Sequence, residues 1–423
     1  MSIYPLRFPL LILCSLLTAI FFSPVASADW PEFRGPTRDG VSTSVNVPTH
    51  WSDTKNIAWK QEIPGRGWSS PVLADGRIYL TSATGDIEDN DLSLRAICIR
   101  ADDGQILWNV EVLRPDAETA GLKHDKNGLA SPTPIVDQGR IFVHFGHLGT
   151  AALDLAGKIL WLQTDIKYNP RHGNGGSPVL VGRALVFSCD GLDTQNIVAL
   201  DRATGKLLWK TPRNTSAFKT FSFSTPQVID IDGRLQIVSP GSGLVAAFDP
   251  NDGSEIWRVN YGEGFSVVPR PVFAHGRLYL ATGFMRPSLL VINPQGARGD
   301  ATESNIVWQH DRGVPNTSSM LVVGDEIYFV SDRGVASCLD AHTGEVRWSE
   351  RLGGNFSASP IAAEGKIYFT NEDGKTYVLR QGIEYDLLAT NDIGERTFAS
   401  FAPADGTLFL RSESHLWRIG KKN

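Results

Sequence analysis

A tryptophan closes a short apolar run seven times along this chain of 423 residues, at intervals of 40 to 53 residues. A fixed period of this size is the signature of a repeat fold in which each unit buries its apolar face against its neighbours. It suits one four-stranded blade of a β-propeller with variable loops. Because large aromatic side chains at one repeat position are normally core, we predict that these residues pack blade against blade and do not contact a ligand. The seven, of eleven tryptophans in all, are Trp59, Trp108, Trp161, Trp209, Trp257, Trp308 and Trp348.

Each period repeats the same internal order of strands and turns. A Ser-Pro or Thr-Pro pair such as Ser70-Pro71 precedes a first strand, and a Gly turn such as Gly76 leads into a second. A third strand ends in an acid, as at Leu200-Asp201, and the Gly turn at Gly205 precedes the tryptophan strand. The glycine supplies the positive φ that a tight hairpin needs. The pattern predicts one antiparallel sheet of four strands per repeat.

Counting the repeats predicts the whole architecture. First strands are expected to begin near residues 69, 131, 176, 224, 268, 318, 358 and 399, which makes eight. The last unit, Phe398 to Ile419, offers only three strands, while the strand around Trp59 precedes every unit. That strand can complete the last sheet and remove the free edges of the ring. We therefore predict an all-β, eight-bladed β-propeller over residues 51–423, closed by the N-terminal strand, with an N-terminal arm over residues 29–50.

Residues 1–28 have the pattern of a secretory signal peptide. Arg7 provides a positive charge, Phe8 to Phe22 are largely apolar, and Ala26-Ser27-Ala28 is a small-residue cleavage sequence. A membrane anchor is the alternative, but the unbroken apolar run of about 14 residues is shorter than the roughly 20 that span a bilayer. We expect cleavage near Ala28, no transmembrane segment in the mature chain, and a periplasmic or secreted monomer.

Charge and cysteine usage exclude several functions. The net charge of -6 argues against nucleic-acid binding, which needs clustered basic residues. Three cysteines follow the signal peptide, Cys98, Cys189 and Cys338, so at least one is unpaired, and we predict buried thiols. No C-x-x-C, C-x-x-C-H or H-E-x-x-H motif occurs. The acidic run 86–91 lacks the Gly and Glu of an EF-hand, so a solvated loop is favoured over a calcium site. We predict no metal site.

The first-strand sequences, the Leu-Asp-x-x-Thr-Gly-Lys-x-x-Trp ending at residues 200–209 and the eightfold count together resemble the pyrroloquinoline quinone (PQQ) repeat. The resemblance covers roughly residues 51–419, and the leader from Trp30 to Gly40 is similar to the start of exported bacterial proteins of this class. The repeat occurs in quinoprotein dehydrogenases and in BamB-type outer-membrane assembly proteins. The resemblance therefore implies the propeller fold and two different kinds of function.

The resemblance to the dehydrogenases does not extend to their catalytic groups. Those enzymes commonly carry an adjacent Cys-Cys disulfide over the quinone, a Glu/Asn/Asp calcium cluster and an Asp base. This chain has no adjacent cysteines, and only Asp125, Glu263 and Glu395 are acids in the predicted axial loops. We predict no catalytic residue, and no cofactor is expected unless the chain binds PQQ with calcium.

The loops that join the outer strand of one blade to the first strand of the next converge on the propeller axis. They carry basic or amide groups beside aromatic rings, which would suit a planar or anionic ligand or an acidic peptide. The alternative is an ordinary polar rim with aromatic residues filling the channel. The candidate ligand-binding residues are Arg66, Trp68, His124, Asn127, Arg171, His172, Asn174, Lys219, Phe221, Phe265, Arg270, Asn316, Asn355, Phe356 and Arg396.

The leading prediction for function is an exported, non-catalytic scaffold or binding module that offers its axial loop face to a protein partner, as in the BamB-type proteins. The first alternative is a PQQ-dependent dehydrogenase of alcohols or sugars. The second is a protein that binds a carbohydrate or a small anion.

Overall fold

The computed structural model describes Met1 and residues 29–86, 91–116, 120, 121, 124 and 126–421. The predicted signal peptide, residues 87–90 of the acidic loop and Asp125 lie outside these residues. The described chain forms eight antiparallel sheets of four strands, so the predicted eight-bladed propeller is confirmed. No helix in this part of the chain has the length and apolarity needed to cross a bilayer.

Each blade has strands A to D, of which A is nearest the axis. The strands are Val72–Ala74, Arg77–Thr84, Ser93–Arg100 and Ile106–Leu113 in blade 1; Ile135–Asp137, Arg140–His144, Thr150–Asp154 and Ile159–Gln163 in blade 2; Val179–Val181, Ala184–Asp190, Gln195–Asp201 and Leu207–Pro212 in blade 3; Gln227–Ile231, Arg234–Pro240, Leu244–Phe248 and Glu255–Asn260 in blade 4; Val272–Ala274, Arg277–Ala281, Leu289–Ile292 and Ile306–His310 in blade 5; Leu321–Val323, Glu326–Val330, Val335–Asp340 and Val346–Arg351 in blade 6; Ile361–Ala363, Lys366–Thr370, Lys375–Arg380 and Leu387–Asp392 in blade 7; and Ala402–Ala404, Thr407–Arg411, His415–Ile419 and Ile57–Glu62 in blade 8.

The N-terminal strand closes the ring as predicted. Ile57–Glu62 pairs antiparallel with His415–Ile419 and is the outer strand of blade 8. Two short strands extend other blades in parallel: Val41–Ser42 beside strand A of blade 7 and Gly299–Asp300 beside strand D of blade 4. Two short helical segments within the described residues are Gly146–Leu148 and Thr302–Asn305.

The repeated tryptophans join neighbouring blades, which confirms their predicted structural role. The indole N–H of Trp161 donates to the carbonyl of Arg202 in the next blade at 3.1 Å, and that of Trp209 donates to the carbonyl of Pro250 at 3.1 Å. At five of the seven tryptophans a turn glycine of the next blade lies against the indole, and a Cβ at Gly205 would be 2.5 Å from the ring of Trp161. The glycine is therefore required both by its positive φ and by this close approach.

A ring of hydroxyl groups links the first strands around the axis. The N–H of Thr133 donates to Ser177 Oγ at 2.9 Å, and the other members of the ring, except Thr225, make the equivalent bond to the next blade. The chain of bonds closes from blade 8 to blade 1 through the N–H of Ser400 and Ser70 Oγ at 3.1 Å. In blade 5 the equivalent position holds Arg270 instead. We call these residues the hydroxyl ring: Ser70, Thr133, Ser177, Thr225, Ser319, Ser359 and Ser400.

The N-terminal arm crosses the propeller on the side of the A–B turns. Trp30 forms a bridge with Leu73 of blade 1, and the Arg34 guanidinium donates to the carbonyls of Met320 at 2.6 Å and Pro360 at 3.3 Å. Trp30 and Arg34 are both 2% exposed. The arm thus closes one end of the axial channel, which we call the floor.

The three described cysteines are free and buried, as predicted. Cys98 and Cys338 occupy the same position of strand C, opposite the tryptophan of strand D, in blades 1 and 6. Burial raises the pKa of the Cys98 thiol to about 11 and that of Cys338 to about 12.

Candidate functional site

The axial channel holds a cavity of about 1020 Å³ that opens on the side opposite the floor. Its walls come from the D–A and B–C loops and from the hydroxyl groups at the start of strands A. Phe33 of the N-terminal arm also lines it. Eight of the predicted ligand-binding residues lie in its wall: Trp68, His124, Asn127, Arg171, His172, Lys219, Phe221 and Phe265.

Aromatic and basic groups share the wall formed by blades 2 to 5. The rings of His124 and His172 lie 5.3 Å apart, and those of His172 and Phe221 lie 5.2 Å apart, in both cases edge to face. Phe265 continues this arc, and the Lys219 ammonium lies 4.4 Å from the centroid of its ring. Such a contact keeps the cation beside an apolar surface.

Backbone contacts hold the two histidine-bearing loops together. The N–H of His124 donates to the carbonyl of His172 at 3.1 Å, and Asn127 Nδ2 donates to the same carbonyl at 2.9 Å. Burial, aided by His124 and Arg171, lowers the pKa of His172. The neutral form of His172 is therefore favoured at neutral pH, and Lys and Arg side chains of this wall carry positive charge.

The opposite wall is richer in hydroxyl groups and holds the acid Asp332. Asp332 accepts hydrogen bonds from the N–H and Nδ2 of Asn316, both at 3.0 Å, and from the hydroxyl of Thr317 at 3.2 Å. Trp68 packs edge to face on Phe398, with ring centroids 4.6 Å apart. Asp332 thus fixes a loop, and Trp68 closes the side of the cavity.

Seven predicted residues lie outside the cavity wall. Arg270 is fully buried below it, where its guanidinium donates to the carbonyl of Phe33 at 2.6 Å. Phe356 is also fully buried, and Asn174 accepts a hydrogen bond from the Tyr168 hydroxyl at 3.1 Å. The remaining four hold loops or are exposed outside the wall: Arg66, Asn316, Asn355 and Arg396.

Sequence reasoning missed an exposed apolar group at the cavity mouth. Phe218 is 93% exposed and Met285 is 74% exposed, and Leu192 and Phe284 are about half exposed. Leu192, Phe284 and Met285 belong to the cavity wall, and Phe218 precedes Lys219. We call these four residues the apolar rim. Leu192, Phe284 and Met285 lie in B–C loops, which reach the same face as the D–A loops, and Phe218 lies in the D–A loop that also carries Lys219.

The described residues do not fit a quinone and calcium centre. Ca²⁺ binds six to eight oxygen atoms, mostly from carboxylates and carbonyls. Asp332 is the carboxylate residue of the described cavity wall, and both of its oxygens already accept hydrogen bonds from Asn316 or Thr317. Of the other predicted acids, Glu395 binds His415 at 2.8 Å, and Glu263 is exposed and is not part of the wall. We derive no catalytic step through such a group.

Fold and site together define a PQQ-repeat propeller whose axial cavity is open at one end and closed by its own N-terminal arm at the other. Comparison with known proteins places the chain within this class. Residues 41–122, 92–240 and 241–386 match the family described as outer membrane protein assembly factor BamB, and the chain belongs to this family.

The relatives are consistent with this assignment. The outer membrane protein assembly factor BamB of Burkholderia pseudomallei strain K96243 is 25% identical over 370 residues, covering 81% of this chain and 85% of that protein. The structure of BamB from Moraxella catarrhalis has a TM-score of 0.61 at 13% identity, covering 86% of this chain and 97% of that one. A quinohemoprotein alcohol dehydrogenase from Pseudomonas putida HK5 has a TM-score of 0.66 at 12% identity, covering 93% and 80%. The two structures show the fold alone.

Proposed function

We propose that this protein is an exported, non-catalytic binding module whose cavity mouth takes an extended protein segment carrying apolar and acidic side chains. The observation that supports this proposal is the apolar rim beside Arg171 and Lys219. Exposed apolar side chains gathered at one opening and bordered by polar groups are typical of a protein interaction site. The family description, outer membrane protein assembly factor, supports a role among proteins of the outer membrane.

Charge favours an acidic segment. Arg171 and Lys219 are exposed at the mouth, and within the described part of the chain neither forms an ion pair. The third basic residue of the wall, Lys126, is paired with Glu372 at 2.9 Å. An incoming carboxylate can therefore be attracted by two cations while its neighbouring apolar side chains cover Phe218 and Met285.

Binding of defined peptides tests this proposal. We expect a labelled peptide alternating Phe or Leu with Asp or Glu to bind the mature chain, as measured by fluorescence anisotropy, and the same peptide with Lys for each acid to bind far more weakly. Phe218→Ser with Met285→Ser should weaken binding about tenfold or more, since exposed aromatic anchors dominate such interfaces. Lys219→Ala and Arg171→Ala should weaken it and reduce its salt dependence.

Leu207→Ser is the matched control, because Leu207 is 49% exposed but lies on an outer strand. It should leave peptide affinity unchanged, and all variants should retain the thermal stability of the parent. Equal affinity for the acidic and basic peptides would contradict the proposal. Retention of PQQ after dialysis with Ca²⁺, together with dye-linked oxidation of alcohols or sugars, would overturn it in favour of an enzyme.

A further inference from the structure

Two histidines and an aspartate converge on the floor side of the propeller, where blades 5 and 6 meet. His275 lies in the A–B turn of blade 5, Asp325 in the A–B turn of blade 6, and His342 in the C–D turn of blade 6. One ligand atom of each lies within 4.8 Å of the others. We propose that this histidine cluster binds a divalent transition-metal ion through two imidazole nitrogens and one carboxylate oxygen.

The hydrogen bonds of Tyr279 prepare His275 for this role. The Tyr279 hydroxyl donates its single proton to the carbonyl of Ala341 at 3.2 Å, and His275 Nδ1 lies 3.3 Å from the same hydroxyl oxygen. The oxygen must then accept a proton from Nδ1–H, which leaves Nε2 as the nitrogen with the free lone pair. Metal-binding histidines are oriented by this kind of bond at their second nitrogen.

The other two candidate ligands, His342 and Asp325, lie close to each other on turns that are joined by a backbone hydrogen bond. His342 Nε2 and Asp325 Oδ1 lie 3.1 Å apart and share a hydrogen bond, which a metal ion would replace. Their separation is near the value of about 3.3 Å between ligands of a tetrahedral ion with bonds of about 2.0 Å. The N–H of Ala341 donates to the carbonyl of Asp325 at 2.8 Å, so the two turns of blade 6 are held together. The two imidazole rings lie 4.8 Å apart and are inclined by 31°.

The donor set indicates which ions would bind. Imidazole nitrogen with one carboxylate suits Zn²⁺, Ni²⁺ or Cu²⁺, whereas Mg²⁺ and Ca²⁺ require oxygen ligands. The Arg277 guanidinium, which donates to the carbonyl of His342 at 3.2 Å, places a positive charge nearby that opposes binding. A bound ion would join blades 5 and 6 on the face opposite the cavity mouth.

The sequence predicted no metal site. The cluster was missed because its three residues are separated by 50 and 17 positions, a spacing that matches no local metal-binding motif. Only the pairing of blades brings them together. The proposal is independent of the function assigned to the mouth.

Calorimetric titration of the untagged mature chain tests the site. We expect one equivalent of Zn²⁺ to bind, and neither Mg²⁺ nor Ca²⁺ to compete with it. His275→Ala and His342→Ala should each weaken binding more than tenfold, and Tyr279→Phe, which keeps the buried ring, should weaken it about tenfold. His50→Ala, at an exposed histidine outside the cluster, should change nothing.

The absorption spectrum of the Co²⁺ form distinguishes this cluster from the thiols. Nitrogen and oxygen ligation gives only weak visible bands, whereas a cysteine ligand adds an intense near-ultraviolet thiolate band. That thiolate band would overturn the proposal. So would absence of Zn²⁺ binding, or unchanged affinity in His275→Ala and His342→Ala.

Discussion

His144 shows how a single buried side chain gives this propeller a pH dependence. Its ring is 1% exposed and packs on Phe187 at a centroid distance of 4.3 Å. Nδ1 lies 2.8 Å from the Thr150 hydroxyl, while Nε2 is buried and has no hydrogen-bond partner among the residues that the structure describes. Burial, together with the neighbouring His147, lowers the pKa of His144 to about 3. The folded protein therefore holds a neutral imidazole where an unfolded chain would protonate it.

This arrangement predicts acid sensitivity. The stabilising contribution of neutral His144 is fully present above the unfolded pKa of about 6.5 and is lost as the pH falls toward 3, by at most about 1.4 kcal/mol per pH unit. His144→Asn keeps a polar group near Thr150 but does not titrate there. Urea unfolding measures how far the free energy of unfolding falls between pH 7 and pH 4.5. This fall should be about 2 to 3 kcal/mol smaller in His144→Asn than in the parent. The exposed His50→Ala variant should lose as much as the parent, and equal losses in all three chains would contradict the assignment.

At the scale of the strand and turn, the repeated contact between blades is a turn glycine placed on an indole. Gly253 has a φ of 74°, and a Cβ there would lie 2.5 Å from the ring of Trp209. Gly233 has a similar φ of 77° but has nothing within 4 Å of such a Cβ. Comparing substitutions at these two glycines therefore distinguishes the cost of backbone strain from the cost of disturbed packing between blades.

We therefore expect Gly253→Ala to destabilise the protein far more than Gly233→Ala. The second substitution costs only the left-handed backbone strain of about 1 to 2 kcal/mol. The first must also displace Trp209 and its hydrogen bond to Pro250, which adds about 1 to 3 kcal/mol. Chemical unfolding of both variants measures the difference directly. Equal destabilisation would mean that the indole moves aside freely and that this contact contributes little.

At the scale of the whole molecule, the sequence predicts what recurs and misses what does not. Blade number, the closing strand and the role of the tryptophans could be predicted because each rests on the same local pattern. Eight of the fifteen candidate residues line the cavity, since the D–A loops have a fixed place in any propeller. Three residues of the apolar rim were missed because they lie in B–C loops, which vary between blades, whereas Phe218 lies in the predicted D–A loop beside Lys219. The histidine cluster was missed as well, because its residues meet only across two blades.

Arg270 of blade 5 is the one residue at the hydroxyl-ring position that is not a serine or threonine. It stands where other blades place a hydroxyl, and it binds the arm instead: its Nη1 donates to the Phe33 carbonyl, and its Nη2 lies 3.6 Å from Glu32. Burial lowers the pKa of Arg270 to about 9, and the charge of Glu32 opposes that shift. The hydroxyl ring is thus interrupted at one blade, and the N-terminal arm occupies the interruption.

This replacement of a hydroxyl by Arg270 predicts that Arg270→Ser lowers stability when the arm is present and raises it when the arm is removed. In the mature chain, Arg270→Ser removes the donor to the Phe33 carbonyl and one of the two cations beside Glu32, which keeps Arg38 at 2.8 Å. We expect the free energy of unfolding to fall by about 2 kcal/mol. In a chain that begins at Val41, the arm contacts are gone and water reaches the guanidinium. In that shorter chain, a serine hydroxyl at position 270 can accept a hydrogen bond from the N–H of Thr225, as the ring hydroxyls of other blades do. The substitution should then raise the free energy of unfolding by about 1 kcal/mol.

Urea unfolding of the four chains, with and without residues 29–40 of the arm and with Arg or Ser at position 270, forms a double-mutant cycle. We expect truncation to lower stability while far-ultraviolet circular dichroism keeps its β character, since ring closure by Ile57–Glu62 does not involve the removed residues. Arg66→Ser, at an exposed position, should be neutral in both backgrounds. Additive effects within about 0.5 kcal/mol would contradict the coupling. A change of sign would show that the arm and Arg270 replace one link of the hydroxyl ring as a pair.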